Sequence, residues 1–354
     1  MISYFLGANS PHGFYSLYDE LIDRSDAAAV YILKGGPGCG KSTLLKKVGA
    51  AAQEAGYPVE YIRCSGDPDS MDGIVLPAQK TAIVDGTAPH VVEPQLPGAV
   101  DHYIDLGLCY DGTSLAGLRG ELTEAMKGYK TCYDRAYRCL AAACDTDAAC
   151  RSILVSKALN EKISKRVKGI ISRELHPAGK ESGRVTRRFL SAVSCKGLVC
   201  QWETIQEQCR KLYVLEDSHA FAHLFLLPLM TAASAAGYNV IACSSPMAPE
   251  RLEHLLIPDL ALAFVSSTPS LPYPGKAHRH IRLDAMPDAD LLRQNRQRLR
   301  FSRKISAALV QESVHCLEEA KLMHDKLEAL YNPHVDFDRV HAIADELIES
   351  LGLK

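Results

Sequence analysis

Gly35, Gly40, Lys41 and Ser42 stand in the spacing G-x-x-x-x-G-K-S, inside the stretch GGPGCGKST (35–43). Each residue type answers a need of phosphate chemistry. Glycine lets a tight loop turn its backbone N–H groups onto phosphate oxygens, because it carries no Cβ. Gly36 and Gly38 add the same freedom on either side of Pro37. A helix starting after the loop aims the positive end of its dipole at the same anion. In this reading Lys41 reaches the β- and γ-phosphates of ATP, the Ser42 hydroxyl ligates Mg²⁺, and Thr43 assists at the α-phosphate. Cys39 fills a variable place in the loop. A thiol at a helix N-terminus could serve as a redox switch, but a tolerated cysteine is the plainer reading.

A metal-bound nucleotide also needs a carboxylate at the end of a neighbouring strand. The run KTAIVDGTAPH (80–90) supplies Asp85, which is expected to bind Mg²⁺ directly or through water. Gly86 follows it, so the Asp-Glu pair in which glutamate activates water is missing. The stretch CSGDPDSMDG (64–73) brings Asp67, Asp69 and Asp72 to the side where parallel α/β sheets bind ligands. Asp67 and Asp69 are candidate general bases, for water or for a substrate hydroxyl. The competing reading is a turn whose aspartates cap their own backbone. His90 is a weaker candidate, as a γ-phosphate sensor. No N-K-x-D pattern for guanine occurs, which favours ATP over GTP.

These residues need a scaffold. AAVYILK (28–34) is a short apolar run rich in β-formers, as a buried parallel strand should be. Residues 41–56 read as a helix stopped by Gly56, and 57–64 as a second strand. The expected fold is therefore α/β: a P-loop NTPase-like, mostly parallel sheet flanked by helices.

The chain also repeats itself. FLGANSPHG (5–13) matches FLSAVSCKG (189–197), and AGYPV (55–59) matches AGYNV (236–240). From Ala55 to Thr87 the offset is a constant 181 residues, which sets Pro68 on Pro249, Pro77 on Pro258 and Val84 on Val265. Identities at turns and core positions at one fixed offset are what duplication leaves. Opposite GGPGCGKST stands DSHAFAHLF (217–225), one residue shorter and without the glycines and the lysine. Opposite Asp85 stands Ser266. The second copy is read as a degenerate repeat that binds no nucleotide in the usual way, with Phe221, Leu224 and Phe225 filling the vacated space.

Two repeats follow: 1–182, with a core at 1–112 and a helical arm at 113–175, and 183–354, with a core at 186–283 and an arm at 287–354. The arms carry apolar residues at spacings of three and four. A break is expected at Asp145-Thr146-Asp147 in the first, and at Asn332-Pro333 in the second with a restart near Asp336. HPAGKESG (176–183) is the expected linker.

Composition narrows the partners. Hydrophobic residues make up 47% of the 354, enough for a sizeable core, and the net charge is −2, so no global field draws the chain to nucleic acid or membrane. The run RQNRQRLRFSRK (293–304) is the local exception. It could touch nucleic acid or offer an arginine to the other repeat's γ-phosphate, but a solvated helix face balanced by Asp284, Asp288 and Asp290 is the favoured reading. The 12 cysteines form no C-x-x-C pair, and MISYFLGANSPHGF lacks the features of a signal peptide. Reduced thiols in a cytoplasmic protein are expected. The apolar segment 221–243 contains His223, Pro228 and a Gly237-Tyr238-Asn239 turn signal, and reads as a buried helix and strand rather than a membrane span.

Taken together, FLGANSPHGFYSLYDELI, LKGGPGCGKSTLLKK, CSGDPDSMDG and AIVDGTAPHVVEP resemble an uncharacterised bacterial family of tandem-repeat P-loop ATPases of the Gram-positive (Firmicutes) type. The resemblance covers nearly the whole chain. It implies ATP binding and hydrolysis, and no particular substrate. Members of that family can keep a working motif in the second repeat; this chain departs there. Three activities remain open at this point: an ATPase that couples hydrolysis to movement, a kinase for a nucleotide or small molecule, and a nucleotide-gated binding module.

Overall fold

A computed structural model describes residues 1–179 and 181–353; Lys180 of the expected linker and Lys354 of the second arm lie outside the described residues. The first half opens with β1 (Ile2–Phe5), the hairpin β2 (Gly7–Ser10) and β3 (Gly13–Ser16), then β4 (Ala29–Lys34) and α1 (Lys41–Glu54). It continues through β5 (Glu60–Arg63), β6 (Met71–Leu76), β7 (Thr81–Asp85) and β8 (Asp101–Asp105) to α2 (Gly112–Gly117), α3 (Arg119–Leu154) and α4 (Lys157–Glu174). The second half opens with β9 (Val185–Arg188), the hairpin β10 (Ser191–Ser194) and β11 (Gly197–Cys200), α5 (Trp202–Gln208), β12 (Lys211–Glu216) and α6 (Ala222–Ala235). Then come β13 (Val240–Ser245), β14 (Ala248–Ile257), β15 (Leu262–Ser267), β16 (Arg279–Arg282), α7 (Ala289–Gln294), α8 (Arg296–Tyr331) and α9 (Phe337–Ser350).

Each half builds a six-stranded sheet, ordered β1-β5-β6-β7-β4-β8 in the first and β9-β13-β14-β15-β12-β16 in the second. Strand for strand the two orders are the same. The backbone repeats in detail as well: Lys80 (φ 49°) and Ala261 (φ 47°), 181 residues apart, are non-glycine residues in the left-handed region that end equivalent 3₁₀ turns. The sheets are mixed, not mostly parallel as expected. β6 runs antiparallel to β5 and β7, and β14 to β13 and β15. The links at 64–70 and 77–80 are too short for a crossover helix, which parallel neighbours require, so the chain doubles back as a meander. β4 still lies parallel between β7 and β8, which brings the end of β7 beside the loop that follows β4.

The halves do not stand as separate domains. Phe5 and Phe189, matching residues of the repeat, exchange backbone hydrogen bonds of 2.9 and 3.0 Å where the two sheets meet. One apolar core runs through this junction, taking Tyr4, Val30 and Ile62 from the first half and Leu212, Val214 and Leu256 from the second.

The helical arms cross. At about 1.5 Å per residue, α3 and α8, 36 residues each, span about 54 Å. They pack antiparallel, with Arg135 of α3 paired to Glu319 of α8 (3.1 Å) and Ser306 of α8 donating to Asp147 of α3 (2.8 Å). Each long helix carries the chain out of its own half, and the next helix lands on the other core. Leu159, Ile163, Val167 and Ile170 of α4 pack with Phe221, Phe225 and Leu229 in the second half. Ala344, Leu347 and Ile348 of α9 pack with Leu44, Leu45 and Val48 in the first. The expected assignment of each arm to its own repeat holds in sequence and is exchanged in space.

The expected break at Asp145-Thr146-Asp147 is absent. Asp147 is held by Ser306, and the Thr146 hydroxyl donates to Ala142 O (2.8 Å), so these polar groups are satisfied without leaving the helix. The helix ends at Leu154, with Val155 extended after it, and Ser156 caps α4 by accepting from Leu159 N (3.2 Å). The second arm breaks at Asn332-Pro333 and restarts at Asp336, which caps α9 through Arg339 N (3.0 Å), as expected. Segment 221–243 forms α6 and β13, and among the described residues no helix is long and apolar enough to cross a membrane.

Candidate functional site

The loop between β4 and α1 turns on two glycines in the left-handed region, Gly38 (φ 71°) and Gly40 (φ 84°). A side chain at either place would be strained and would also meet the second half. A Cβ on Gly38 would strike the Asn332 side chain, and one on Gly40 would crowd Val340 and Phe337. Gly40 occupies the N-cap of α1 and offers no side chain, and no acid stands in the first turn. No side-chain cap therefore takes the amide donors of that turn, and the positive end of the helix dipole lies behind them.

Polar side chains converge on this helix end. The Lys41 ammonium donates to Gly35 O and Gly36 O (2.8 Å each) and lies 3.7 Å from the Asp85 carboxylate. Asp85, 8% exposed, accepts from Thr87 N (2.8 Å) and Thr87 Oγ1 (2.5 Å). The Ser42 hydroxyl accepts from Met71 N (3.0 Å), tying α1 to the start of β6. Gly36 is covered by Tyr110, whose hydroxyl donates to Pro37 O (2.9 Å). Cys39 turns into the core beneath the loop and is 1% exposed, which favours the plain reading of that cysteine. Thr43 is exposed on the cleft wall.

These groups floor a cleft of about 510 Å³. The 64–73 aspartates separate into distinct roles. Asp67 accepts from Asp69 N (3.2 Å), and Asp69 is exposed and paired with Lys196 of the β10–β11 turn, which holds its carboxyl below the usual range. That is the capped-turn reading, with one addition: Lys321 of α8 lies 3.5 Å from Asp67. The deeply buried carboxylate is Asp72, at 4% exposure; it accepts from the Tyr18 hydroxyl (2.9 Å) and lies 3.6 Å from His90 Nε2. Burial pushes its pKa up, His90 pulls it back, and nearby Asp85 raises it again. His90, 8% exposed, leaves Nδ1 buried without a hydrogen-bond partner. An orphaned buried polar atom of this kind costs about 1–3 kcal/mol.

The opposite wall belongs to the second half. Lys321, His324 and Glu328 line it from α8, and the Asn332 amide, oriented to satisfy both its partners, donates to Gly38 O (2.9 Å) and Glu328 O (3.2 Å). Sequence reasoning missed these residues, because nothing local marks a lysine in the middle of a long charged helix. The basic run 293–304 does not reach the cleft. Its last arginine, Arg303, is 18 positions from Lys321, about 27 Å along the helix axis. Arg293 pairs with Asp290 (2.6 Å), and Arg296, Arg298 and Arg300 are exposed on a solvated face, while Asp284 and Asp288 hold Ser218 and the start of α7.

The equivalent place in the second half is filled from within. The Asp217 carboxylate accepts from Phe221 N and Ala222 N (2.7 Å each) at the start of α6, so an internal carboxylate takes the position of an external anion. Phe221 and Phe225 are fully buried behind it, and Leu224 is only partly so. Burial raises the Asp217 pKa to about 6, above the ~3.9 of an exposed aspartate. Folding therefore takes up a proton between these values. The stabilising contribution is full below about pH 4 and is lost as pH rises through about 6. Asp217→Asn has no such group, so the stability gap between wild type and variant should shift against wild type by about 1.4 kcal/mol per pH unit across this window. Urea melts of both proteins at several pH values read that slope; a constant gap would refute it.

Compared with known proteins, the chain matches no family model, no curated protein and no solved structure.

Proposed function

We propose that this chain binds Mg-ATP at the β4–α1 loop and hydrolyses it, with the second repeat acting as the structural and transducing half. The carrying observation is the contrast between two equivalent loops. In one, an uncapped helix N-terminus meets a lysine, a serine and a buried carboxylate. In the other, the same helix end is closed by its own aspartate. Gly38 and Gly40 bring the backbone donors to the phosphates, Lys41 neutralises the β- and γ-oxygens, and Ser42 and Asp85 hold the Mg²⁺. Held there, Mg²⁺ would supply charge neutralisation to the phosphoryl oxygens. Lys321, contributed by the second half, supplies the cation across the cleft, and the Asn332–Gly38 contact links the loop to the crossed arm.

The test is phosphate release from Mg-ATP by the full chain, with and without chelator. Lys321→Ala should lower turnover by about 10²-fold, the cost of losing one charge-stabilising group, with the nucleotide still bound. Tight ATP binding without turnover would reduce the protein to a nucleotide-gated binding module. A second reading, phosphoryl transfer to an acceptor, is favoured by the aromatic wall of Phe14, Tyr129 and Tyr133 beyond Asp72. ADP formation that depends on an added nucleoside or small hydroxyl compound would select it.

A further inference from the structure

We propose that the outer face of α4 and of the first turns of α8 binds single-stranded nucleic acid. The basic run 293–304 stands clear of the ATP cleft, so its cations take no part in the site described above. Two of the three acids expected to balance it are engaged elsewhere. Asp284 accepts from Ser218 N and Oγ (2.7 Å each), and Asp288 caps α7 by accepting from Asp290 N (2.8 Å) and Leu291 N (3.2 Å). The third, Asp290, pairs with Arg293 (2.6 Å). Among the described residues, Arg296, Arg298, Arg300, Arg303 and Lys304 make no ion pair, and all five are exposed.

Helical spacing sorts these side chains into two lines along α8. Arg296, Arg300 and Arg303 recur at i, i+4 and i+7, and Arg298, Phe301 and Ile305 at i, i+3 and i+7, with Lys304 between the lines. Leu299 and Ser306 hold the opposite, buried side, so both lines face solvent; Phe301 is 66% exposed and Ile305 40%. The α4 helix extends this surface. The Lys162 ammonium donates to Met286 O (2.9 Å) just ahead of α7, and Leu159 and Ile163 share an apolar cluster with Leu291, Leu292 and Leu299. Lys165, Arg166 and Lys168 are exposed on α4. Glu161, the one acid of that helix before Glu174, is paired with Lys157 (4.0 Å).

Charge and shape together select the occupant. At physiological ionic strength the field of an exposed charge fades within about 8 Å, so the chain's net charge of −2 does not cancel this face. Guanidinium groups at helical intervals suit a row of phosphodiesters, to which each can donate two parallel hydrogen bonds. An exposed aromatic ring beside that row is a stacking platform for unpaired bases, which a duplex keeps inside. Two outward apolar side chains are too few to seat the face in a bilayer, where an interfacial helix buries a whole apolar side.

The experiment titrates the full chain into a fluorescein-labelled oligouridine of about 20 nucleotides, longer than one such surface occupies, and reads anisotropy at several salt concentrations. Wild type should bind, with log K falling linearly against log salt. Arg296→Gln, Arg300→Gln and Arg303→Gln combined should weaken binding at least about 10-fold and flatten that slope by about 2, the share of three phosphate contacts on a single strand. Phe301→Ala should weaken binding about 5- to 150-fold, the worth of stacking one base, and leave the slope unchanged. A duplex of the same length should bind more weakly than the single strand. All four side chains are exposed, so thermal melts of the variants should match wild type. Wild type that fails to bind at about 50 mM salt, or a triple variant with wild-type affinity and slope, overturns the proposal. Equal binding of duplex and single strand, or wild-type affinity in Phe301→Ala, overturns the assignment to unpaired bases. Capture by phosphatidylserine vesicles without binding to the oligonucleotide would give the face to a membrane and overturn it as well.

Discussion

Lys41→Ala is expected to eliminate measurable ATP turnover and to weaken ATP binding, while the protein stays folded. The ammonium donates to the Gly35 and Gly36 carbonyls and lies 3.7 Å from the Asp85 carboxylate. In the proposed site it would meet charge that grows on the γ-phosphoryl oxygens as the bond breaks, so its loss would act on the transition state more than on the ground state. We expect at least about 10²-fold in turnover. Lys41→Arg should fail nearly as badly, since a planar guanidinium does not fit where a compact ammonium sits between two carbonyls. The fold should tolerate either change, because the side chain is only half-buried at a loop and the core beneath is made by Cys39, Leu44 and Leu45. Calorimetric titration with ATP, phosphate release and a thermal melt together decide the matter. Turnover and affinity that both survive Lys41→Ala would show that nucleotide binds elsewhere.

The second large effect tests the exchange of arms. Leu347→Ala removes a buried side chain of α9, and Ile163→Ala one of α4. Each should cost about 2–5 kcal/mol, the range for large-to-small changes in a core. The location of the damage is the discriminating result. Hydrogen exchange should accelerate in α1 and β6 of the first half for Leu347→Ala, although Leu347 belongs to the second repeat. For Ile163→Ala it should accelerate in α6 and β13. Leu347→Ala should also weaken ATP binding, because α9 carries Phe337 and Val340 against Gly40. Faster exchange confined to the mutated residue's own repeat would refute the crossed packing.

Much of the site was legible because its signals are local. The loop glycines, Lys41, Ser42 and Asp85 sit where backbone conformation and strand ends demand them, and the structure brings them to one helix end. The 64–73 aspartates were legible as a group and not individually. Their roles depend on β6 doubling back between β5 and β7, which buries Asp72 and leaves Asp69 at the surface. His90 could be flagged as a residue type, but its partnership with Asp72 and Tyr18 joins three segments and carries no linear signature.

By itself, the sequence determined the duplication, the strand–loop–helix unit and the loss of the second loop, because each is written in residue types at fixed spacing. Tertiary structure alone decided which core each arm covers and which half supplies Lys321 to the cleft. The physical reason is reach. A helix of 36 residues can set its successor on either core, and periodic apolar positions specify that a face must be buried, not which partner will bury it.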